Sequence, residues 1–366
     1  MTKNTKFAFI SFFEVFPSYS GASEVSSSFF NSWPNKNKRL FQISNKNNYK
    51  NNNIRSFKIN FHNPFFKLLK IFKISNYVAN YLDDSKHKII IFEGASWIGY
   101  FYLLKKILLK KFPDSIIIYH SHNIEYELRR SKSNFIISYL TKLMEKEIFS
   151  SSHISTVVSK KDLRIVKRLY KVKPKILENG IGIDYKNSNK TKIKLPKRFI
   201  FYSGSYSYMP NKYAINNLIE NILPKVNLKF PDIKLVICGG GFNKNIKEKF
   251  LVNLGIISKS HLKILNKKAV CLVVPLKHGF GTRVKIIEAL ISGCKVVTTK
   301  KGVEGIDKKF ENSAYKIANT NNHFVKLILK EIKKKTKYNN KWKEYYKKKY
   351  DMKIITKKFY NENFNK

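Results

Sequence analysis

Val274-Pro275-Leu276-Lys277-His278-Gly279-Phe280-Gly281-Thr282-Arg283-Val284-Lys285-Ile286-Ile287-Glu288-Ala289-Leu290 is the stretch on which the reading of this chain turns. A buried strand ends at Pro275, a glycine loop follows, and a helix begins near Thr282. Glycines let backbone approach a ligand closely. A helix N-terminus offers unpaired N–H groups and the positive end of a dipole, which suits a diphosphate. Arg283 and Lys285 add charge beside it. Glu288, a turn or so into the helix, is placed to accept both hydroxyls of a ribose. A glycine pair alone would be an ordinary strand–turn–helix with surface charges. The full run instead describes a nucleotide site, with Gly279, Gly281, Thr282, Arg283 and Lys285 at the diphosphate and Glu288 at the ribose.

Outward from this stretch, short β-rich runs alternate with longer helical ones, the pattern of parallel α/β architecture. In the first half, strands are expected at Lys6–Phe13, Arg39–Ser44, Lys88–Phe92, Ser115–Tyr119, His153–Val158 and Lys175–Leu177. Helices fall at Ala22–Trp33, Pro64–Leu82, Trp97–Lys111 and Ile136–Phe149, and Ser159 reads as the N-cap of Lys160–Tyr170. The polar, aperiodic stretch from Asp184 to Pro196 is the best linker. A second alternation follows it, with strands at Arg198–Tyr202, Ile233–Cys238, Val270–Val274 and Lys295–Thr298. Its helices are Asn211–Ile222, Lys244–Leu254 and Thr282–Ser292. The expected division is residues 1–184, residues 185–330, and a helical tail at 331–366 packing back on the first domain, as two doubly wound domains would require.

The chain has 366 residues, 43% of them hydrophobic, enough for two packed cores and too apolar for a disordered chain. Its net charge is +48, from 72 Lys+Arg against 24 Asp+Glu. Such a field favours polyanionic surroundings. Only 8 of those 72 are Arg, which argues against nucleic acid as partner, because base and phosphate readout draws heavily on the guanidinium fork. Cys238, Cys271 and Cys294 lie in or beside apolar runs without paired spacing, the pattern of reduced, buried thiols and no metal site. The apolar Phe7–Phe16 is short, contains Glu14 and reads as a first strand, not a signal peptide. No stretch reaches the roughly 18 uncharged apolar residues of a membrane span. Together these point to a cytoplasmic location; peripheral attachment to the inner face of the plasma membrane is a further option that rests on the Phe65–Ile74 stretch below.

Further constellations bear on binding. Ser18-Tyr19-Ser20-Gly21-Ala22-Ser23-Glu24 follows the first strand and opens a helix. Tyr119-His120-Ser121-His122-Asn123-Ile124-Glu125 lies at the C-terminal end of a strand, where open parallel sheets bind ligands. Either His120 or His122 could hydrogen-bond a sugar or an acceptor; a helix cap by Asn123 beside solvated histidines is the plainer alternative. In Phe65-Phe66-Lys67-Leu68-Leu69-Lys70-Ile71-Phe72-Lys73-Ile74, lysines recur every three residues. The segment can lie in an anionic membrane interface or pack on a core with its lysines in water.

The donor stretch resembles the signature of retaining GT-B glycosyltransferases of family 4, in the variant reading G-x-G-T-R-x-K-x-x-E-A. Other stretches are similar in the same order. Val158-Ser159 with Glu178-Asn179-Gly180-Ile181-Gly182-Ile183-Asp184 resembles the family's domain crossover, and Phe201–Asn211, around Gly204, resembles the opening of its C-terminal domain. Ile237–Gly241 and Leu254-Gly255-Ile256 resemble the next strand ends, and His122-Asn123-Ile124-Glu125 an N-domain motif. The resemblance is strong over 150–310 and thinner before.

It implies a GT-B fold: two Rossmann-like doubly wound domains facing a cleft. It implies transfer of a sugar from a nucleotide-sugar co-substrate to a saccharide or lipid-linked acceptor, with retention, in cell-surface polysaccharide or lipopolysaccharide synthesis. No cofactor or metal is implied. Gly21 and Gly204 then line the donor site, and Ile256 lies near the base. Two departures stand out. The family's first donor-motif glutamate is here Phe280, and the basic pair after the second domain's first strand is missing from Ser205–Tyr208, which leaves its work to Arg283 and Lys285. A nucleotide-sugar epimerase-like enzyme and a non-enzymatic polyanion-binding protein are the alternatives; the second leaves Glu288 unexplained.

Overall fold

The computed structural model describes residues 4–18, 20–44, 51–59, 64–94, 96–130, 133–183, 193–242, 249–279, 281–334 and 340–364. The chain forms two units, Met1–Gly182 with Met352–Lys366, and Ile183–Asp351. The expected positions Tyr19, Asp184 and Phe280, most of the 184–196 linker and the start of the Lys244–Leu254 helix lie outside the described residues.

The first unit holds a seven-stranded parallel sheet of β1 (Thr5–Ser11), β2 (Lys38–Ser44), β3 (Ile54–Lys58), β4 (His87–Gly94), β5 (Ile116–Ser121), β6 (Ile154–Val157) and β7 (Lys175–Ile176). The order is β3-β2-β1-β4-β5-β6-β7. Strands such as His-Lys-Ile-Ile-Ile-Phe-Glu-Gly read as continuous apolar runs because helices cover both faces. Those helices are α1 (Gly21–Ser32), α2 (Pro64–Leu82), α3 (Ile98–Lys111), α4 (Glu125–Arg130), α5 (Phe135–Ser151) and α6 (Lys160–Tyr170). Local chemistry sets their starts. Ser20 and Ser23 form a reciprocal capping box at α1, and Asn134 and Ser159 accept backbone N–H bonds at α5 and α6. The buried Gln42 holds the loop after β1 by accepting the Val15 and Phe16 N–H groups at 2.8 Å each.

The second unit holds a six-stranded parallel sheet of β8 (Phe199–Ser203), β9 (Lys234–Cys238), β10 (Leu251–Asn253), β11 (Leu272–Val274), β12 (Val296–Thr298) and β13 (Tyr315–Ile317), in the order β10-β9-β8-β11-β12-β13. Counted within each unit, both sheets contain the doubly wound order 3-2-1-4-5-6, which the first extends by a seventh strand. The helices of this unit are α7 (Met209–Asn217), α8 (Leu223–Asn227), α9 (Lys259–Lys268), α10 (Val284–Ile291), α11 (Asn321–Lys333) and α12 (Asn340–Tyr350). The expected single helix Asn211–Ile222 becomes α7, a π-helical turn at Leu218–Ile222 and α8; Pro224, which has no N–H to donate, follows the irregular turn. Leu251–Asn253 is a strand where the sequence suggested helix, because it adds an edge to β9.

Residues 331–366 are divided between the units. Trp342, Tyr346 and Tyr350 of α12 are buried in the second. Helix α13 (Met352–Phe364) packs on α1 in the first, where Tyr360 and Phe364 surround Trp33 with centroids 5.6 and 6.1 Å away. Among the described residues, no helix is long and apolar enough to cross a membrane. All three cysteines are free and buried.

Candidate functional site

In an open parallel sheet the strand order reverses beside the first strand, and the loops leaving the C-terminal strand ends diverge there to leave a crevice. In the second unit that point lies between β8 and β11. The loop after β8 carries Gly204, and the loop after β9 carries Gly239. The two approach so closely that a Cβ on Gly239, whose φ is +138°, would stand 2.2 Å from the Gly204 carbonyl oxygen. A Cβ on Gly204 would in turn meet the Lys285 Nζ at 2.6 Å.

Lys285 rises from the first turn of α10. Its ammonium donates to the Tyr202 hydroxyl and to the Asn211 Oδ1, both at 3.0 Å, and lies 4.1 Å from the Tyr202 ring centroid. Tyr202 also donates to Asn211 Oδ1 at 2.7 Å. Both partners of the ammonium are neutral. Burial, with the Arg283 charge nearby, lowers the Lys285 pKa from 10.5 to about 7.

Arg283 is the residue just before α10 and is itself buried, donating to the Gly281 carbonyl oxygen. Its guanidinium lies beneath Gly279, whose φ of +121° turns the loop over it. Helix α10 begins at Val284, so Thr282 lies in the loop before it, next to Gly305. Glu288 is half-buried one turn beyond Lys285, and its charge acts on both Lys285 and the Cys238 thiol. Ile256 is 75% exposed, with its Cδ1 3.4 Å from where a Cβ on Gly240 would be. Gly204, Gly279, Arg283 and Lys285 thus form one group, with Glu288 on the same helix and Ile256 at the neighbouring strand end.

In the first unit, Glu93 closes β4 beside His120 of β5, its register partner. The Glu93 Oε2 accepts from the Ser26 hydroxyl at 2.8 Å and lies 3.0 Å from the His122 Nε2. His120 Nδ1 lies 2.7 Å from the Thr156 hydroxyl, and its ring sits 4.8 Å from that of His122 and 5.0 Å from Phe29. Burial lowers the His120 pKa from 6.5 to about 4. Burial would raise that of Glu93, but the charges of both histidines and the hydrogen bonds from His122 and Ser26 outweigh it and hold the carboxyl below its usual range. The Glu93 Oε1 is buried and, among the described residues, accepts no hydrogen bond. Gly21 is the exposed first residue of α1, the helix that supplies Ser26.

Among the described residues, Glu93, His120 and His122 are the one trio of metal-ligand type, their ligand atoms within 4.8 Å of one another. Two of those atoms, Glu93 Oε2 and His122 Nε2, already face each other as a hydrogen-bonded pair.

Sequence reasoning singled out the histidines but not Glu93, Ser26, Tyr202 or Asn211. Tyr202 and Asn211 lay inside a quoted stretch, but their role appears only when Lys285 reaches them from 74 or more residues away. Glu93 had one signal, a carboxylate inside an otherwise apolar strand.

Residues 197–333 match the family model described as Glycosyl transferases group 1. No curated protein sequence matches the chain. Among solved structures, Anabaena HepE in complex with UDP and glucose superposes with a TM-score of 0.70 at 12% identity, covering 98% of this chain and 99% of that one. Sucrose-phosphate synthase from Thermosynechococcus elongatus gives 0.71 at 11% identity, over 99% and 100%. WaaG, a glycosyltransferase involved in lipopolysaccharide biosynthesis, gives 0.62 at 10% identity, over 98% and 100%. Residues 197–333 are therefore similar to the Glycosyl transferases group 1 domain, and the chain has the GT-B fold.

Proposed function

We propose that the chain transfers a sugar from a nucleotide-sugar donor to a saccharide or lipid-linked acceptor, with retention and without a metal, in the assembly of cell-surface polysaccharide or lipopolysaccharide at the inner face of the plasma membrane. One observation carries the reading. The Lys285 ammonium lies at the strand-order reversal of the second sheet, and among the described residues its hydrogen-bond partners are neutral. A buried cation without a carboxylate partner is costly to keep, and a diphosphate at this point would compensate it.

In this reading Gly204, Gly279, Gly281 and Thr282 let the donor phosphates approach backbone, Glu288 accepts the ribose hydroxyls, and Ile256 flanks the base. Arg283 and Lys285 stabilise the charge that grows on the leaving diphosphate as the sugar–phosphate bond breaks. The acceptor oxygen bonds the anomeric carbon on the same face, and its proton passes to the departing phosphate oxygen. Gly21, His120 and His122 serve the transferred sugar and acceptor, with Glu93 holding His122. An anionic membrane surface is the partner of the Phe65–Ile74 stretch.

The test is thermal stabilisation by UDP, GDP, ADP, CMP and their sugars with metal chelated. A saturable shift is expected with one nucleotide class, weakened about tenfold to a hundredfold in Glu288→Ala, the range set by hydrogen bonds to a charged group. Stabilisation by none of them, or an undiminished shift in Glu288→Ala, would overturn the assignment.

A further inference from the structure

Helix α5 is built inside out over its first eleven residues. Facing the unit's interior it sets Ser138, Thr141 and Glu145; facing outward it sets Phe135, Ile136, Ile137, Tyr139, Leu140 and Leu143. Phe135 is 82% exposed and Ile136 67%. Of the inward polar groups Thr141 and Glu145 are engaged, while the Ser138 hydroxyl is buried without a hydrogen-bond partner among the described residues. Thr141 donates to the Ile137 carbonyl and accepts from the Trp97 indole N–H. Glu145 accepts the Glu125 and Tyr126 N–H groups at the head of α4 and the Tyr170 hydroxyl. The helix is therefore fixed in this orientation by its polar side, and the apolar side is left in water. A contiguous exposed apolar face of this kind marks an interaction site.

A second such face lies on α2, where Phe65, Phe66, Leu69 and Phe72 are exposed. Helices α2 and α5 both pack against α3, so the three lie side by side on one face of the first sheet. Each returns from the C-terminal end of one parallel strand to the start of the next, so their N-terminal halves share one edge of the unit. That is the edge at which Glu93, His120 and His122 lie.

We propose that this edge docks on an anionic lipid bilayer, with the α5 residues Phe135, Ile136 and Leu140 entering the interface beside Phe65, Phe66 and Phe72. Charge selects the occupant. Lys67, Lys70 and Lys73 interleave the α2 face, the exposed Lys106 follows on α3, and Lys142 and Lys146 on α5. Neither α2 nor α3 carries an acidic residue, and the acids of α5 are the buried Glu145 and the later Glu147. Basic and apolar together are the features of an interfacial anchor on anionic lipid. A second copy of the chain would bring the same positive face, because a two-fold interface pairs a patch with itself. The docking does not depend on the proposed transfer. Joined to that reading, it selects a lipid-linked acceptor, whose reactive end would stand at the strand ends that face the bilayer.

The experiment is flotation of the full chain with phosphatidylcholine vesicles, with and without phosphatidylglycerol. Nucleotide stabilisation measured on the same samples reports the second unit separately. The wild type is expected to float with the anionic vesicles, less so as salt rises. The triple variant Phe135→Ser, Ile136→Ser, Leu140→Ser should bind them about tenfold more weakly or worse, with melting temperature and nucleotide response retained. Lys70→Glu with Lys73→Glu should weaken binding and flatten its salt dependence. Three results would overturn the proposal: no flotation of the wild type, undiminished flotation of the triple variant, or a wild-type dimer that the triple variant turns into monomer.

Discussion

The Lys285 ammonium and the Tyr202 phenol meet twice, through a hydrogen bond of 3.0 Å to the hydroxyl and a position 4.1 Å from the ring centroid. A cation held this way has been taken out of water before any ligand arrives. In the ligand-free protein its proton leaves at about pH 7, whereas an unfolded lysine keeps it to 10.5. Between those values the unfolded chain binds more protons, so stability rises with pH across that window and is at its lowest below it. The Lys285→Met variant should therefore melt higher than wild type at pH 7, with a gain that shrinks toward pH 10, and should lose nucleotide stabilisation. A melting-temperature difference independent of pH would refute the assigned cause.

The approach of Gly239 to Gly204 makes a different kind of prediction. Gly239→Ala places a methyl against a carbonyl oxygen in a backbone conformation that L residues avoid. About 2 kcal/mol of stability should be lost, and nucleotide binding with it, because both loops would have to part. Gly255→Ala is the control: its φ is +61°, but nothing lies within 4 Å of the added carbon. Denaturant titration of the two variants separates close approach from backbone strain; equal losses would mean that strain alone is at work.

Glu93 touches His122 and Ser26, and its effect on transfer should pass through the histidine. Glu93→Gln keeps the volume and removes the charge that fixes the ring. Steady-state kinetics are expected to show kcat falling about tenfold with the donor KM unchanged, the mark of a loss felt only in the transition state. A donor KM that rises while kcat holds would place Glu93 in donor binding instead.

His120 gives a stability test in acid. Its proton binds at about pH 4 in the folded protein against 6.5 when unfolded. The unfolded chain holds more protons between those values, so stability falls as pH drops from 6.5 toward 4. His120→Gln should lessen that fall. An imidazole signal for His120 that titrates above pH 6 by NMR would rule out the buried neutral ring.

Much of this was legible in the chain's punctuation. Val270–Val274 and Lys295–Thr298 announced strands β11 and β12, and Ser159 announced α6. Strand β3, Ile-Arg-Ser-Phe-Lys, was missed because an edge strand between polar stretches carries few apolar residues. Strand β10 was taken for helix because three residues cannot show a period. The inverted α5 shows the deeper limit. Its sequence alternates an apolar arc with a Ser138, Thr141, Glu145 stripe, and periodicity gives the angle between faces without saying which one turns inward. Capping of α4 by Glu145 decides that, from 20 residues away.

Helix α13 has a consequence for how the molecule is made. It belongs to the first unit but is translated after the whole of the second. On the ribosome, Trp33 and Phe7 must wait for Tyr360 and Phe364 until Ile183–Asp351 has been synthesised. The second unit can assemble as an uninterrupted piece during synthesis, while the first exposes an unfinished aromatic seam to chaperones until its last helix emerges.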